Sequence, residues 1–212
     1  VFAGSLVIVI VGVVDDLYAL RPEKKLIGQI AAALVLVLCG IRFDFLNDVI
    51  GDRVIISSLV TIVWVIAMTN ALNFLDNMDG LCAGVSAIAA LSFFACVLPS
   101  SQTFLCVLLM VFAGAVCGFL YHNFSPARIF MGDAGAMFCG YILATVAVLG
   151  TFYTAEATPS RIALIAPVLA LSVPIFDTIS VVFIRWRNGE SIMKGDKRHF
   201  SHRLVSVGMT PR

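Results

Sequence analysis

Apolar runs of bilayer length recur from one end of this chain to the other, and nothing else in it constrains the fold as tightly. Seven can be drawn, roughly at residues 1–14 (a truncated run), 26–41, 54–71, 81–98, 103–121, 135–153 and 161–184. Most approach the ~20 residues that a helix needs to cross hydrocarbon. Inside lipid every backbone N–H and C=O must find a partner within the protein, which leaves only helices or a closed barrel. The period-two alternation of barrel strands is missing. The expected fold is therefore all-α, a polytopic transmembrane bundle of seven spans. Pro167 and Pro174 should kink the seventh span, because proline removes an N–H from the helical ladder.

Composition agrees. Hydrophobic residues make up 60% of the 212 and charged residues only 13%, with a mean hydropathy of +1.02. A soluble domain carries about 25% charge. The six cysteines lie in or beside apolar runs without a CxxC pair, so they read as packing residues rather than a disulfide framework or zinc site. No Walker loop, GxGxxG or GxSxG occurs, and the pattern of the CDP-alcohol phosphotransferases is absent after Asp79-Gly80. There is no internal repeat and no low-complexity linker. Residues 1–212 are expected to form one integral membrane domain. The chain opens inside an apolar run without an initiator Met and stops in a polar one, which reads as an internal stretch of a longer protein.

Loops on the two sides of the bundle differ in charge. One side takes 15–25, 72–80, 122–134 and 185–212, with Arg21, Lys24, Lys25, Arg128, Arg185, Arg187, Lys194, Lys197, Arg198, Arg203 and Arg212. The other takes 42–53, 99–102 and 154–160, with Arg42, Arg53 and, at its edge, Arg161. The positive-inside rule makes the first side cytoplasmic. Asp44, Asp48, Asp52 and Glu156 on the second side read as solvated loop acids.

The first side also collects the chemistry. Asp15-Asp16 closes the first span, and adjacent carboxylates repel unless a cation or hydrogen bonds neutralise them. Simple span-ending polarity is the competing reading. In NALNFLDNMDGL, Asn70, Asn73, Asp76 and Asp79 recur every three residues, a spacing that brings them toward one helical face. A polar loop with capping residues for the fourth span competes there. In HNFSPARIFMGDAG, Pro126 forces an irregular loop, and Asp133 sits between Gly132 and Gly135 as a helix cap or a metal ligand. Phe130 is an interfacial aromatic or a stacking surface for a base. Asp177 lies inside the seventh span, where a carboxylate must be paired or face a wet cavity. The tail gathers Lys197, Arg198, His199, His202 and Arg203, either a flank touching anionic lipid or a phosphate site.

Taken in order, VVDD, NFLDNMDG, NFSPARIFMGDAG, VPIFDT and DKRHFSHRL resemble the polyprenyl-phosphate N-acetylhexosamine-1-phosphate transferase family (glycosyltransferase family 4). That family includes GlcNAc-1-phosphate transferases and the phospho-MurNAc-pentapeptide transferase. The tail is closer to the GlcNAc branch and its HxHHR-like run, although Ser201 replaces the middle histidine. The resemblance implies transfer of a sugar 1-phosphate from a UDP-N-acetylhexosamine to polyprenyl phosphate, undecaprenyl or decaprenyl, releasing UMP. It implies Mg2+, with Mn2+ as substitute, held by Asp133 and Asp16, and Asp15 deprotonating or orienting the lipid phosphate. Asn73, Asp76 and Asp79 would bind nucleotide or sugar, Phe130 would stack on uracil with Asn123 nearby, and Lys25, His199, His202 and Arg203 would hold phosphates. One-step attack and a covalent aspartyl intermediate both fit. The expected setting is the bacterial inner membrane, multi-pass, with the site on its cytoplasmic face. A homodimer is left open and nucleic acid has no place. The rival class is a cation-coupled transporter, whose carboxylates should lie near the bilayer midplane between inverted repeats.

Overall fold

The computed structural model describes residues 1–43, 54–100, 102–150 and 162–189, together with 205, 207 and 208. Eight α-helices order these residues: α1 Phe2–Tyr18, α2 Pro22–Leu38, α3 Val54–Leu75, α4 Leu81–Val97, α5 Thr103–Asn123, α6 Gly132–Leu149, α7 Ile162–Ala170 and α8 Ser172–Asn188. A 3-10 turn at Leu98–Ser100 extends α4. No strand occurs among the described residues. The all-α expectation holds.

Four of the seven expected spans have helices of full spanning length among the described residues, long and apolar enough to cross a membrane: α3, α4 with its 3-10 extension, α5 and α6. Helices α1, α2 and α8 each run 17 residues. At 1.5 Å per residue that is about 25 Å, at the lower end of the ~17–25 residues with which helices cross hydrocarbon. The seventh expected span divides into α7 and α8 at Leu171 (φ −104°, ψ 18°). Pro174 lacks the N–H that would have bonded the Ala170 carbonyl, so the ladder breaks one turn before it.

Local chemistry sets the ends. Ala19 adopts a left-handed conformation (φ 46°) and its N–H closes α1 on the Asp15 carbonyl. Pro22 opens α2, where its missing N–H costs nothing, and Glu23 follows in the first turn, favourable to the helix dipole.

Helix α6 is the hub. It packs on α3 and α1 and also touches α4, while α2 bridges α1 and α3. Its residues from Cys139 through Val148 are all buried. Helix α5 rests mainly on α4 and turns Phe104, Val107, Met110 and Val111 outward. Such apolar outer faces suit lipid as the solvent. Close approach depends on small residues, as is usual between membrane helices. A Cβ on Gly12 of α1 would run into the Ala134 backbone of α6. The approach brings the end of α1, the start of α2, the end of α3 and the start of α6 together at one end of the bundle.

Candidate active site

Asp15 and Asp16 are neighbours with different partners. Asp15 is buried; its Oδ1 accepts the Leu20 N–H at 2.7 Å and its Oδ2 meets Lys25 Nζ at 2.8 Å. Asp16 is exposed and reaches across to α6. Its Oδ1 accepts the Asp133 N–H at 2.8 Å and its Oδ2 the Ala134 N–H at 3.1 Å. The first N–H groups of a helix have no partner within it, and its N-terminus attracts an anion. A carboxylate from α1 thus caps α6. Gly132 makes room: its φ is +65° and a Cβ there would stand 2.9 Å from Asp16 Oδ2.

Lys25 closes the cluster. Its ammonium meets oxygens from three helices: Asp15 Oδ2 at 2.8 Å, Asp133 Oδ2 at 2.9 Å and Asn73 Oδ1 at 3.0 Å. Those three partners use all its hydrogens. The Asn73 amide in turn donates from Nδ2 to Asp133 Oδ1. Asp133 therefore lies in the first turn of α6 without capping its own helix.

The 70–79 stripe is one face only as far as α3 lasts. Asn70 and Asn73 lie on the helix, while Asp76 and Asp79 follow its last residue, Leu75. Asp76 stays close in electrostatic terms. Burial first, then the charges of Asp133 and Asp16, push its carboxyl up to about 6. Asp79 turns the other way, and its Oδ2 accepts the Ala127 N–H at 3.0 Å. Asn123 is 3% exposed and spans the same two loops: its Oδ1 accepts the Gly80 N–H at 3.0 Å and its Nδ2 donates to the Ile129 carbonyl at 2.8 Å. Asp79 and Asn123 thus clasp the 76–80 turn to the 124–131 loop. Phe130, next to Ile129, projects from that loop and is 76% exposed.

Five expected residues therefore meet in one hydrogen-bonded cluster: Asp15, Asp16, Lys25, Asn73 and Asp133. Asp177 is buried on α8, which packs against α3. His199, His202 and Arg203 lie outside the described residues. Sequence reasoning missed Gln29, whose buried amide pairs with Asn70 one turn deeper. Its signal was available: a lone polar residue inside the second apolar run.

The donors suit a hard cation. Among the described residues no three His, Cys, Asp or Glu side chains gather as a metal-binding set. Two carboxylates and a carboxamide do converge on a positive charge, the Lys25 ammonium. Magnesium is commonly held through one or two carboxylates with water completing its shell, and Asp133 and Asp16, joined through the Asp133 N–H, are the hard-oxygen pair of that kind here.

Fold and site together define a helical membrane protein with a carboxylate-rich centre, tied by one lysine, at one end of its bundle. The chain belongs to glycosyl transferase family 4, whose model matches residues 1–151. It is 32% identical over 213 residues to a probable undecaprenyl-phosphate N-acetylglucosaminyl 1-phosphate transferase of Bacillus subtilis, covering 99% of this chain and 58% of that protein. It is 37% identical over 236 residues to a decaprenyl-phosphate N-acetylglucosaminephosphotransferase of Mycolicibacterium smegmatis, covering 100% and 57%. A phospho-N-acetylmuramoyl-pentapeptide-transferase of Desulforudis audaxviator is 36% identical over 146 residues, covering 61% of this chain and 43% of its own. The chain thus spans less than three fifths of the length of these curated relatives.

Proposed function

We propose that the protein transfers a sugar 1-phosphate, GlcNAc 1-phosphate, from a UDP-sugar to a polyprenyl phosphate and releases UMP. The carrying observation is the cluster in which Lys25 meets Asp15, Asn73 and Asp133 while Asp16 caps α6. The GlcNAc preference is supported by similarity that runs over 99% and 100% of the chain to the two GlcNAc-type relatives, against 61% for the MurNAc-pentapeptide type.

In this reaction an oxygen of the lipid phosphate bonds to the sugar-bearing phosphorus, and the bond from that phosphorus to the UMP oxygen breaks. Anion attacks anion, and two unit charges at 4 Å repel by about 4 kcal/mol at an effective dielectric of 20. Lys25 sits where it can offset that charge. Asp15, buried against Lys25, takes or orients the proton of the lipid phosphate. Asp133 and Asp16 would hold Mg2+, which when bound supplies neutralisation of the pyrophosphate and of departing UMP. Asn73 and Asp76 face the nucleotide and sugar. Asp79 and Asn123 hold the loop that offers Phe130 to uracil. His199, His202 and Arg203 remain proposed phosphate contacts. The excess of Arg and Lys in the loops of this end supports a cytoplasmic orientation in the bacterial inner membrane.

Cation-coupled transport has no comparable support, since the clustered carboxylates stand at one end of the bundle. The test is UMP release by the full-length protein from UDP-GlcNAc, short polyprenyl phosphate and Mg2+. Wild-type protein should release UMP, and Asp133→Asn should lose at least 100-fold while remaining inserted. Wild-type protein that releases none, or full turnover by Asp133→Asn, would overturn the reading.

A further inference from the structure

The reacting cluster has a second storey. Gln29 lies four residues after Lys25 on α2, Asn70 three before Asn73 on α3, and Met137 four after Asp133 on α6. Each spacing is one helical turn on the same face. The three helices that supply Lys25, Asn73 and Asp133 therefore meet again one turn farther into the bundle.

The contacts there are specific. Gln29 Nε2 donates to Asn70 Oδ1 at 3.1 Å and lies 3.4 Å from Met137 Sδ. Asn70 Nδ2 donates to Gln29 Oε1 at 2.7 Å and to the Ile66 carbonyl at 2.8 Å. Gln29 is 1% exposed. Two side-chain amides that exchange both donor and acceptor fix the slide and rotation of α2 against α3 together. An apolar pair would hold the helices together while tolerating many registers. The Lys25 ammonium meets oxygens from three helices at once, so its triple contact depends on how those helices are registered.

We infer that Gln29 and Asn70 are positioning residues, which set where the Lys25 ammonium stands relative to Asp15, Asn73 and Asp133. This inference deepens the proposed transferase reading and rests on it for its kinetic consequence. Interhelical glue alone is the bland alternative, and such bonds in membranes typically contribute little.

The variant Gln29→Leu/Asn70→Leu in the full-length protein separates the two, because replacing both partners by apolar groups of similar shape is nearly neutral for folding. Its Tm should stay within a few degrees of wild type. The kcat of UMP release should fall at least tenfold with donor KM changed less than twofold. Acylation of Lys25 by acetic anhydride, followed by mass spectrometry, should quicken at least threefold. Exchanging the amides, Gln29→Asn/Asn70→Gln, should restore slow acylation and most of kcat, and it serves as the folded comparison if the leucine pair is lost. Wild-type acylation and kcat in the leucine pair, or an exchange variant no better than that pair, would overturn the inference. A wild-type protein that releases no UMP would sink the transferase reading instead, and the acylation rates, which need no turnover, would still decide this one.

Discussion

Lys25 is the cation that ties the carboxylates of the site together. Its side chain is 15% exposed, and those of Asp15 and Asp133, which it joins, are 8% and 35% exposed. Removing one partner of a largely buried pair leaves the others uncompensated. Lys25→Met should cost about 2–5 kcal/mol in denaturant unfolding, and UMP release should fall at least 100-fold. Lys25→Arg should not rescue turnover, because a planar guanidinium cannot present three hydrogens to three converging oxygens. Asp76 gives a pH signature. Its folded carboxyl titrates at about 6, above the ordinary 3.8. The folded protein therefore binds the extra proton, and the stability it brings is present below about pH 4 and lost as pH rises through 6. In metal-free protein, Asp76→Asn should flatten the fall in Tm between pH 4 and 6, a difference of about 1 kcal/mol after solvent screening. The carboxylates and Lys25 were legible in the sequence because charge beside an apolar run stands out. The work of Asp16 was not, since the donors its carboxylate accepts from are backbone N–H groups more than a hundred residues away.

At the scale of elements, the union of α1 with α6 decides whether Asp16 can cap. Gly12 allows it, and a Cβ there would strike backbone, which cannot move aside as a side chain can. Gly12→Ala should destabilise by about 1–3 kcal/mol and lower kcat, both read on the purified protein. Asp16→Ala should cost about 1 kcal/mol as a lost cap, with Asp16→Asn, which keeps a carbonyl acceptor, losing less. Most helices could be read from the apolar runs, since lipid leaves the backbone few choices. Their ends were less legible. The break at Leu171 arises from Pro174 one turn later, where a kink within one span had been expected. The 70–79 stripe followed helical spacing correctly to Asn73. After Leu75 the chain turns, and Asp79 serves the neighbouring loop instead.

For the whole molecule, the excess of Arg and Lys in the loops at this end predicts that the site faces the cytoplasm. In a cysteine-free background, Arg128→Cys should react with an impermeant maleimide only in inverted vesicles and Leu98→Cys only in right-side-out cells. The opposite pattern would reverse the orientation. The sequence named the family because its motifs occur in order. It could not show that one lysine would knit three of them together, as this depends on how α2 settles between α1 and α3. The capping of α6 by Asp16 also has a bearing on biogenesis. A ribosome delivers Asp15, Asp16 and Lys25 to the membrane long before it makes residues 133 and 134. Until then Asp16 lacks both its amide partners and Lys25 lacks one of its oxygens. The cluster around Lys25 can therefore be completed only when α6 docks, so a nascent chain arrested short of that point would be inserted with its cluster unfinished.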